Sequence, residues 1–378
     1  MRVLMVELFL PESIYSLELL QELKKYAELT VYLRHGAIPS RDKEMVDGIR
    51  WIDGFYRGGK GRLAGLGAYL LGLARLDYEI RIGNYDILHI QGFKNAGVEI
   101  PFYIWEKARV KKLVYTVHNL LPHEAPEKSR RLYGRFYAAC DLLITHNEYT
   151  AKLLRENYRI PGSKIYVIPH GAYATLSNHK KEKRRSDGIC RFLQFGIFRQ
   201  YKGIDILLKA IALIPKDQRQ HFHFTIAGAW FPALDSTDYK KMAEQLEITD
   251  AVTIIAKHIG DDQIEKLYND ADYCLFPYRS IYGSGALLMA YTFGKPVIAS
   301  NIPAFVEETN CGETGLLFQN GSPEALKEAI IKIADCDIGQ RQRYKDNICK
   351  LVSDKYNWKK SALQTVKAYE DALNNITE

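Results

Sequence analysis

Three segments in the second half of the chain have residue types and spacing suited to holding a diphosphate and a ribose. Residues 195–205 read FGIFRQYKGID. An apolar run ends at Gly196, a short loop carries Arg199 and Lys202, and Gly203 opens a helical pattern. Cations at a strand-to-helix junction, beside the free N–H groups of a helix start, suit a diphosphate. Residues 272–300 read DYCLFPYRSIYGSGALLMAYTFGKPVIAS. Here Gly283, Ser284 and Gly285 stand at a second such junction, before a helical pattern that ends at Gly294. Small residues let phosphate approach backbone N–H groups, and the Ser284 hydroxyl can add a hydrogen bond. The third segment is Glu307, followed by CGETGLLF at residues 311–318. A carboxylate there can accept two ribose hydrogen bonds. Each has a plainer alternative when judged alone: solvated loop cations for Arg199 and Lys202, a surface carboxylate for Glu307.

The elements that must position these groups recur along the whole chain. Residues 2–8, 29–34, 87–91, 112–118, 141–146 and 166–169 read as short apolar strands. Between them, residues 14–26, 98–109 and 129–140 read as helices. Residues 174–188, ATLSNHKKEKRRSDG, are polar and charged with no apolar periodicity. The alternation then restarts, with strands at 191–198, 223–227, 252–256, 273–276 and 296–300. Helices fall at 204–214, 237–246, 261–268, 286–293 and 323–334, and residues 358–373 form one long amphipathic helix. Such alternation predicts an α/β protein of two open parallel sheets covered by helices, with ligands between the two domains at the carboxyl ends of strands. The expected divisions are residues 1–172, a linker at 173–189, residues 190–356, and a terminal helix at 357–378.

Composition narrows the class. The chain has 378 residues, of which 47% are hydrophobic and 26% charged, which excludes disorder over most of its length. Six scattered cysteines form no C-x-x-C pair, and the ten histidines show no ligand spacing, so neither a disulfide scaffold nor a zinc site is expected. The most apolar stretch, residues 63–74, contains three glycines and falls short of the ~20 residues a membrane span needs. The N-terminus meets Glu7 and Glu12 too early for a secretory signal, so a cytoplasmic protein is expected. Residues 1–170 carry a net charge of +6 and the remainder +1. That bias suits an anionic partner: nucleic acid, phospholipid or a phosphorylated substrate. Composition does not choose among them.

Taken together, these segments resemble a family. The chain is similar to glycosyltransferases of the GT-B type, which have two Rossmann-like domains facing each other across a cleft. Within that type it looks like the large family 4 of bacterial polysaccharide and glycolipid transferases. The likeness rests on FGIFRQYKGIDILLKAI, TIAGAW, ADYCLFPY, SGALLMAYTFGKPVIAS and CGETGLLF, and in the first half on YDILHIQGF, YTVHNLLPHE and VIPHG. It implies a UDP- or GDP-sugar donor on the C-terminal domain, an acceptor on the N-terminal one, and a last helix that crosses back to the first domain. By the same resemblance Lys202 binds the donor diphosphate with help from Arg199. Gly196, Ser284, Gly285 and Ala286 line the diphosphate or sugar, Glu307 matches a family glutamate, and His118 projects toward the transferred sugar. Two departures stand out. Many members have an arginine directly after the strand's glycine, where this chain has Ile197. Many retaining members carry two glutamates where this chain has Ile281 and Met289. A related subset has a Ser-Gly pair near the first of these places, as here.

Sugar transfer needs charge on the leaving diphosphate to be stabilised. With no metal motif in the sequence, the expected counter-charges are Lys202, Arg199 and helix N–H groups, and no cofactor is expected. An inverting enzyme also needs a base for the acceptor hydroxyl; the candidates are His118, Glu124 and Glu12. The acceptor side is marked by KSRRLYGRFY, residues 128–137, where Arg130, Arg131 and Arg135 lie near Leu132 and Phe136 on a helix. A basic, aromatic helix suits an anionic bilayer, which leads to a peripheral protein on the inner face of the membrane. A glycan or polyprenyl-diphosphate-linked acceptor, in surface polysaccharide or glycolipid synthesis, follows from the resemblance, and nucleic acid is not expected. Two other readings remain: a sugar-nucleotide epimerase of the same fold, and a catalytically silent sugar-nucleotide-binding partner of another transferase.

Overall fold

Short apolar runs form the strands, and they collect into two separate parallel sheets. The computed structural model describes residues 1–8, 14–34, 47–55, 62–121, 127–173 and 187–374. Unit 1 comprises Met1–Gly171 and Asn357–Glu378; unit 2 comprises Ala172–Tyr356.

In unit 1 the chain forms β1 (Arg2–Glu7), α1 (Ile14–Leu23), β2 (Glu28–Arg34), β3 (Arg50–Phe55), α2 (Arg62–Gly83), β4 (Ile87–Ile90) and α3 (Ala96–Glu106). Then come β5 (Lys112–Thr116), α4 (Glu127–Ala139), β6 (Leu142–Thr145), α5 (Glu148–Tyr158) and β7 (Ile165–Val167). The strands lie in the order β3-β2-β1-β4-β5-β6-β7, all parallel. All four residues of β4 and of β6 are buried, as expected for central strands covered on both faces. The strand order reverses between β1 and β4, which is where such sheets bind ligands.

Unit 2 repeats the plan with β8 (Cys190–Phe195), α6 (Ile204–Ala212), α7 (Lys216–Arg219), β9 (Phe222–Gly228), α8 (Tyr239–Gln245), β10 (Val252–Ala256) and α9 (Asp261–Asp270). It continues with β11 (Tyr273–Phe276), α10 (Gly285–Thr292), β12 (Val297–Ser300), α11 (Pro303–Glu308), β13 (Gly315–Phe318), α12 (Pro323–Ala334) and α13 (Ile338–Asp354). Its sheet order is β10-β9-β8-β11-β12-β13, again parallel, with the reversal between β8 and β11. The Ala172 N–H donates to Tyr356 O at 2.9 Å, so this unit begins and ends at one hydrogen bond.

The last helix, α14 (Trp358–Leu373), returns to unit 1. Asn357 caps it by accepting from Lys360 N–H, and Ala368 and Tyr369 enter the core formed by Val3, Met5, Val31 and Ile87. Tyr369 Oη lies 2.6 Å from Nδ1 of the buried His89, whose Nε2 lies 2.7 Å from Thr116 Oγ1.

Among the elements absent from the sequence-based expectation are β3, α2, α5, β13 and α13. β3 mixes polar and apolar residues because it is an edge strand. α2 spreads apolar and charged residues around its circumference, so its sequence shows no one-sided periodicity. Its Gly72 packs where a β-carbon would run into the Phe55 ring. β13 starts on a glycine that fits against the Val297 backbone, and α13 is mostly polar. Among the described residues no helix is long and apolar enough to cross a membrane.

Candidate functional site

The carboxyl ends of the unit 2 strands gather the expected cations. β8 runs into Gly196, whose N–H donates to Ala227 O at 2.9 Å. Gly196 has φ +130°, and a β-carbon there would overlap Lys202 Nζ. Lys202 closes a short 3-10 turn, Gln200–Lys202, and its carbonyl accepts from Gln194 Nε2 at 3.0 Å. Gly203 follows with φ +65°, its α-carbon pressed against the Pro277 carbonyl just past β11. Only glycine combines that conformation with so close an approach.

Lys202 is 8% exposed, with its ammonium against Gly196 and 5.2 Å from the Tyr278 ring. Burial, and then the charge of Arg199, push its pKa down to about 8. Among the described residues no carboxylate offsets that shift. A buried cation without a counter-ion is costly unless a ligand supplies one. Arg279, which the sequence reading passed over, braces this turn. Its Nη2 donates to Asp205 Oδ2 at 2.7 Å, its Nη1 to Gln200 O at 2.6 Å, and its N–H to Tyr201 O at 2.7 Å.

The second junction differs in detail from expectation. Ser284 caps α10, its Oγ accepting from Leu287 N–H at 3.2 Å, so part of its hydrogen-bonding capacity serves its own helix. Gly285 opens the helix against the Tyr173 hydroxyl, and Ala286 O accepts from Tyr268 Oη at 3.4 Å. Glu307 pairs with Lys355 at 3.6 Å. The neighbouring Glu308 is the carboxylate that reaches this junction: its Oε1 accepts from Ser284 N–H at 3.2 Å. Ile197 is half exposed, and Met289 is buried within α10.

Lys202 carries a pH signature. An anion bound beside it raises its pKa, so binding is full while the lysine is protonated. The affinity of the full chain for UDP or GDP should hold below pH 8 and fall as pH rises beyond it, approaching tenfold per unit. Calorimetric titration between pH 6.5 and 9.5 checks this, and a flat affinity across that range would remove Lys202 from the anion's contacts.

Unit 1 has its own cluster, also at the carboxyl ends of consecutive strands. Gln91 directly follows β4, His118 lies two residues past β5, His146 one past β6, and His170 three past β7. His118 Nε2 lies 3.0 Å from Gln91 Oε1, and its Nδ1 lies 3.2 Å from His146 Nε2. His146 Nδ1 lies 3.0 Å from Ile168 O, and His170 Nδ1 2.6 Å from Gly171 O. Tyr15 of α1 packs against all three histidines, with ring centroids 4.7–5.3 Å away, and Trp358 of α14 covers Tyr15 and His170. Burial, with the neighbouring imidazoles, holds the His118 pKa well below its ordinary value. Burial puts His146 at about 4 and His170 at about 3. These shifts favour the neutral form of all three at pH 7. Among the described residues no group of three or more His, Cys, Asp or Glu side chains could hold a metal ion. Only His118 of this trio was singled out from sequence, although ITH and IPH repeat the apolar-then-His pattern of TVH.

The other two base candidates, Glu12 and Glu124, lie outside the described residues. Arg130, Arg131 and Arg135 are exposed on α4. Phe136, expected beside them on the surface, is instead fully buried, set edge-on to Phe93 and Tyr115 and tilted against Tyr103. Exposed apolar side chains of unit 1 include several on α2 and α3: Leu66, Leu70, Leu71, Tyr78 and Ile82, and Trp105, which stacks with Arg81 and Arg109.

Residues 13–174 match the family model described as Glycosyltransferase Family 4, and residues 177–350 match that of Glycosyl transferases group 1. The D-inositol 3-phosphate glycosyltransferase of Corynebacterium glutamicum is 24% identical over 77% of this chain and 73% of its own length. The GDP-mannose:glycolipid 4-beta-D-mannosyltransferase of Xanthomonas campestris pv. campestris is 25% identical over 50% of this chain and 49% of its own. Among solved structures, Anabaena HepE in complex with UDP and glucose shares the fold with a TM-score of 0.76, at 17% identity over 98% of this chain and 100% of that one.

Proposed function

Since the chain belongs to the family 4, group 1 glycosyltransferases of GT-B fold, both halves matching, we propose that it moves a sugar from a UDP- or GDP-sugar to a glycan or lipid-linked acceptor. The reading places the donor on unit 2. The observation that carries it is Lys202: a buried ammonium that no carboxylate among the described residues offsets, at the strand end beside the sheet's reversal point. There Lys202, Arg199 and the N–H groups opening α10 neutralise the departing diphosphate without a metal. His118 acts from unit 1 as the base for the acceptor hydroxyl, since it is neutral at pH 7 and lies at the carboxyl end of the sheet. Calorimetric titration of the full chain with UDP and GDP, each with EDTA present, tests the donor half. Saturable binding of one of them in EDTA agrees with the reading; binding that appears only with added divalent metal contradicts it.

The proposal extends to an anionic membrane surface as the place of work, within surface polysaccharide or glycolipid synthesis. Its support is the exposed apolar face of α2 and α3, with Arg75, Arg81 and Arg109 nearby, together with the α4 arginines. Apolar side chains dip into the headgroup boundary while each cation near an anionic surface adds about 1 kcal/mol. Replacing Arg130, Arg131 and Arg135 by Ser should weaken co-sedimentation with phosphatidylglycerol vesicles and reduce its salt dependence. Leu70→Asn with Leu71→Asn should weaken binding to anionic and neutral vesicles alike. Equal binding of the parent protein to both kinds of vesicle would leave the charges as solvated surface.

A further inference from the structure

Helices α2 and α3 meet through two carboxyl groups of α3. Glu99 and Glu106 are both fully buried and lie two turns apart on one face of the helix. Each meets a polar group of α2. Glu99 Oε1 accepts from Tyr69 Oη at 2.6 Å, and from Asn95 N–H at 2.8 Å. At Glu106 the facing group is Asp77, a second carboxyl. Among the described residues no N–H or hydroxyl group hydrogen-bonds either Glu106 oxygen. Arg109 Nη1 lies 3.8 Å from Glu106 Oε2, beyond hydrogen-bond reach. The first contact has its proton from a tyrosine; the second lacks one unless a carboxyl carries it.

Two carboxyls in contact do not both ionise readily, so the pair holds one proton between them. Arg81 decides where it sits. Its Nε donates to Asp77 Oδ1 at 2.8 Å and to Oδ2 at 2.9 Å, which keeps Asp77 ionised. Burial opposes this, but the contacts with Arg81 and Glu106 prevail and hold the Asp77 pKa below its ordinary value. The proton therefore belongs to Glu106. Burial and then Asp77 raise its pKa to about 7, against the pull of Arg109 and Arg81. Glu106 is also the last residue of α3, where the helix dipole disfavours a negative charge. Other charged groups nearby are engaged elsewhere. Lys107 pairs with Asp141 at 3.0 Å. Of α4, which packs on α3, Tyr133 acts on Glu99, and Arg130, Arg131 and Arg135 are exposed.

This pair lies under the exposed face of α2 and α3. The exposed Trp105 directly precedes Glu106, with the Arg81 and Arg109 guanidiniums 5.4 and 3.7 Å from its ring. The exposed Tyr78 and Ile82 directly follow Asp77 and Arg81. We propose that Glu106 makes membrane docking proton-linked: this face binds an anionic bilayer with Glu106 protonated and lets go as Glu106 ionises. The inference rests on the membrane reading. Two effects couple the proton to the bilayer. The negative surface gathers protons, and lipid phosphates engage Arg81 and Arg109, the cations that otherwise favour an ionised Glu106. Both raise the Glu106 pKa on the bilayer, so docking takes up a proton from water. The added affinity is complete below the free value of about 7 and is lost as pH rises through the higher, bound value.

The test is co-sedimentation of the full chain with phosphatidylglycerol and with phosphatidylcholine vesicles between pH 6 and 9. The wild-type affinity for phosphatidylglycerol should fall by about three- to tenfold from pH 6.5 to 8.5, since a surface near −30 mV alone shifts a proton equilibrium about threefold. Glu106→Gln, whose amide can donate to Asp77 as the protonated carboxyl does, should keep the stronger binding throughout. Asp77→Asn removes the second charge, so its binding should not vary with pH over that range. Without vesicles, the ¹³C signal of the Glu106 carboxyl, identified by its loss in Glu106→Gln, should titrate near pH 7. Titration in the ordinary range of glutamate overturns the proposal. So does a Glu106→Gln protein with the wild-type pH dependence and a retained preference for phosphatidylglycerol; there only the role of Glu106 falls. Equal sedimentation of the wild type with both lipids at every pH removes the membrane reading, and the proposal with it.

Discussion

Lys202→Met lowers the affinity of the full chain for its UDP- or GDP-sugar by about 10–150-fold, the 1.5–3 kcal/mol of a lost charge-assisted contact. Methionine keeps most of the side-chain volume, so the packing under Gly196 and beside Tyr278 survives. The expected effect on stability has the opposite sign. Lys202 is buried, its pKa is pushed down to about 8, and no carboxylate among the described residues offsets that shift. Removing a desolvated charge should leave the unfolding midpoint unchanged or higher. Lys202→Arg should not restore binding, because the ammonium already abuts Gly196 and a guanidinium needs more room. Calorimetry and thermal unfolding on the same samples decide the matter. A loss of stability with nucleotide affinity intact would make Lys202 a packing residue.

The second large effect is expected at His118. His118→Asn should reduce turnover by about 10²–10⁴-fold. Nucleotide affinity should stay near the wild-type value, because the groups proposed to hold the donor belong to unit 2. The pH dependence follows from signs already fixed. Burial and the neighbouring imidazoles hold the His118 pKa well below its ordinary value, so its base form is fully present at neutral pH. Turnover at saturating donor should therefore be flat from pH 6.5 to 8, while donor affinity weakens above pH 8 as Lys202 loses its proton. Steady-state kinetics with a stability measurement check both. Loss of activity that merely tracks loss of folded protein would place His118 in the core, with no part in chemistry.

How far these sites could be read in advance differs residue by residue. Lys202 was legible because its surroundings are local: a strand, a glycine, a turn and a second glycine lie within fourteen residues, and both glycines have positive φ. Arg279 was not, because its partners at Gln200, Tyr201 and Asp205 are more than seventy positions away, and no local pattern reports such a contact. The choice between Glu307 and Glu308 depends on the rotation of a six-residue helix, too short for periodicity to fix. In the same way, the spacing of Leu132 and Phe136 identified one face of α4 but not its direction. Phe93, Tyr103 and Tyr115 turn Phe136 inward, and they come from three other elements of the chain. His146 and His170 each follow an apolar strand, as His118 does. What the linear sequence hides is that β5, β6 and β7 are neighbours, so that three separate strand endings meet at one place. The strands themselves were the easiest part, since central parallel strands are short, continuous apolar runs.

The most direct test of the account is a turnover measurement on the full chain with a panel of UDP- and GDP-sugars, with and without membrane extract. The account predicts release of UDP or GDP that depends on the extract, with the sugar recovered in an extracted product. His118→Asn should abolish that release, and Lys202→Met should weaken it through donor binding. Release of a free, altered sugar without acceptor, or nucleotide-sugar binding with no turnover under any pairing, would contradict it.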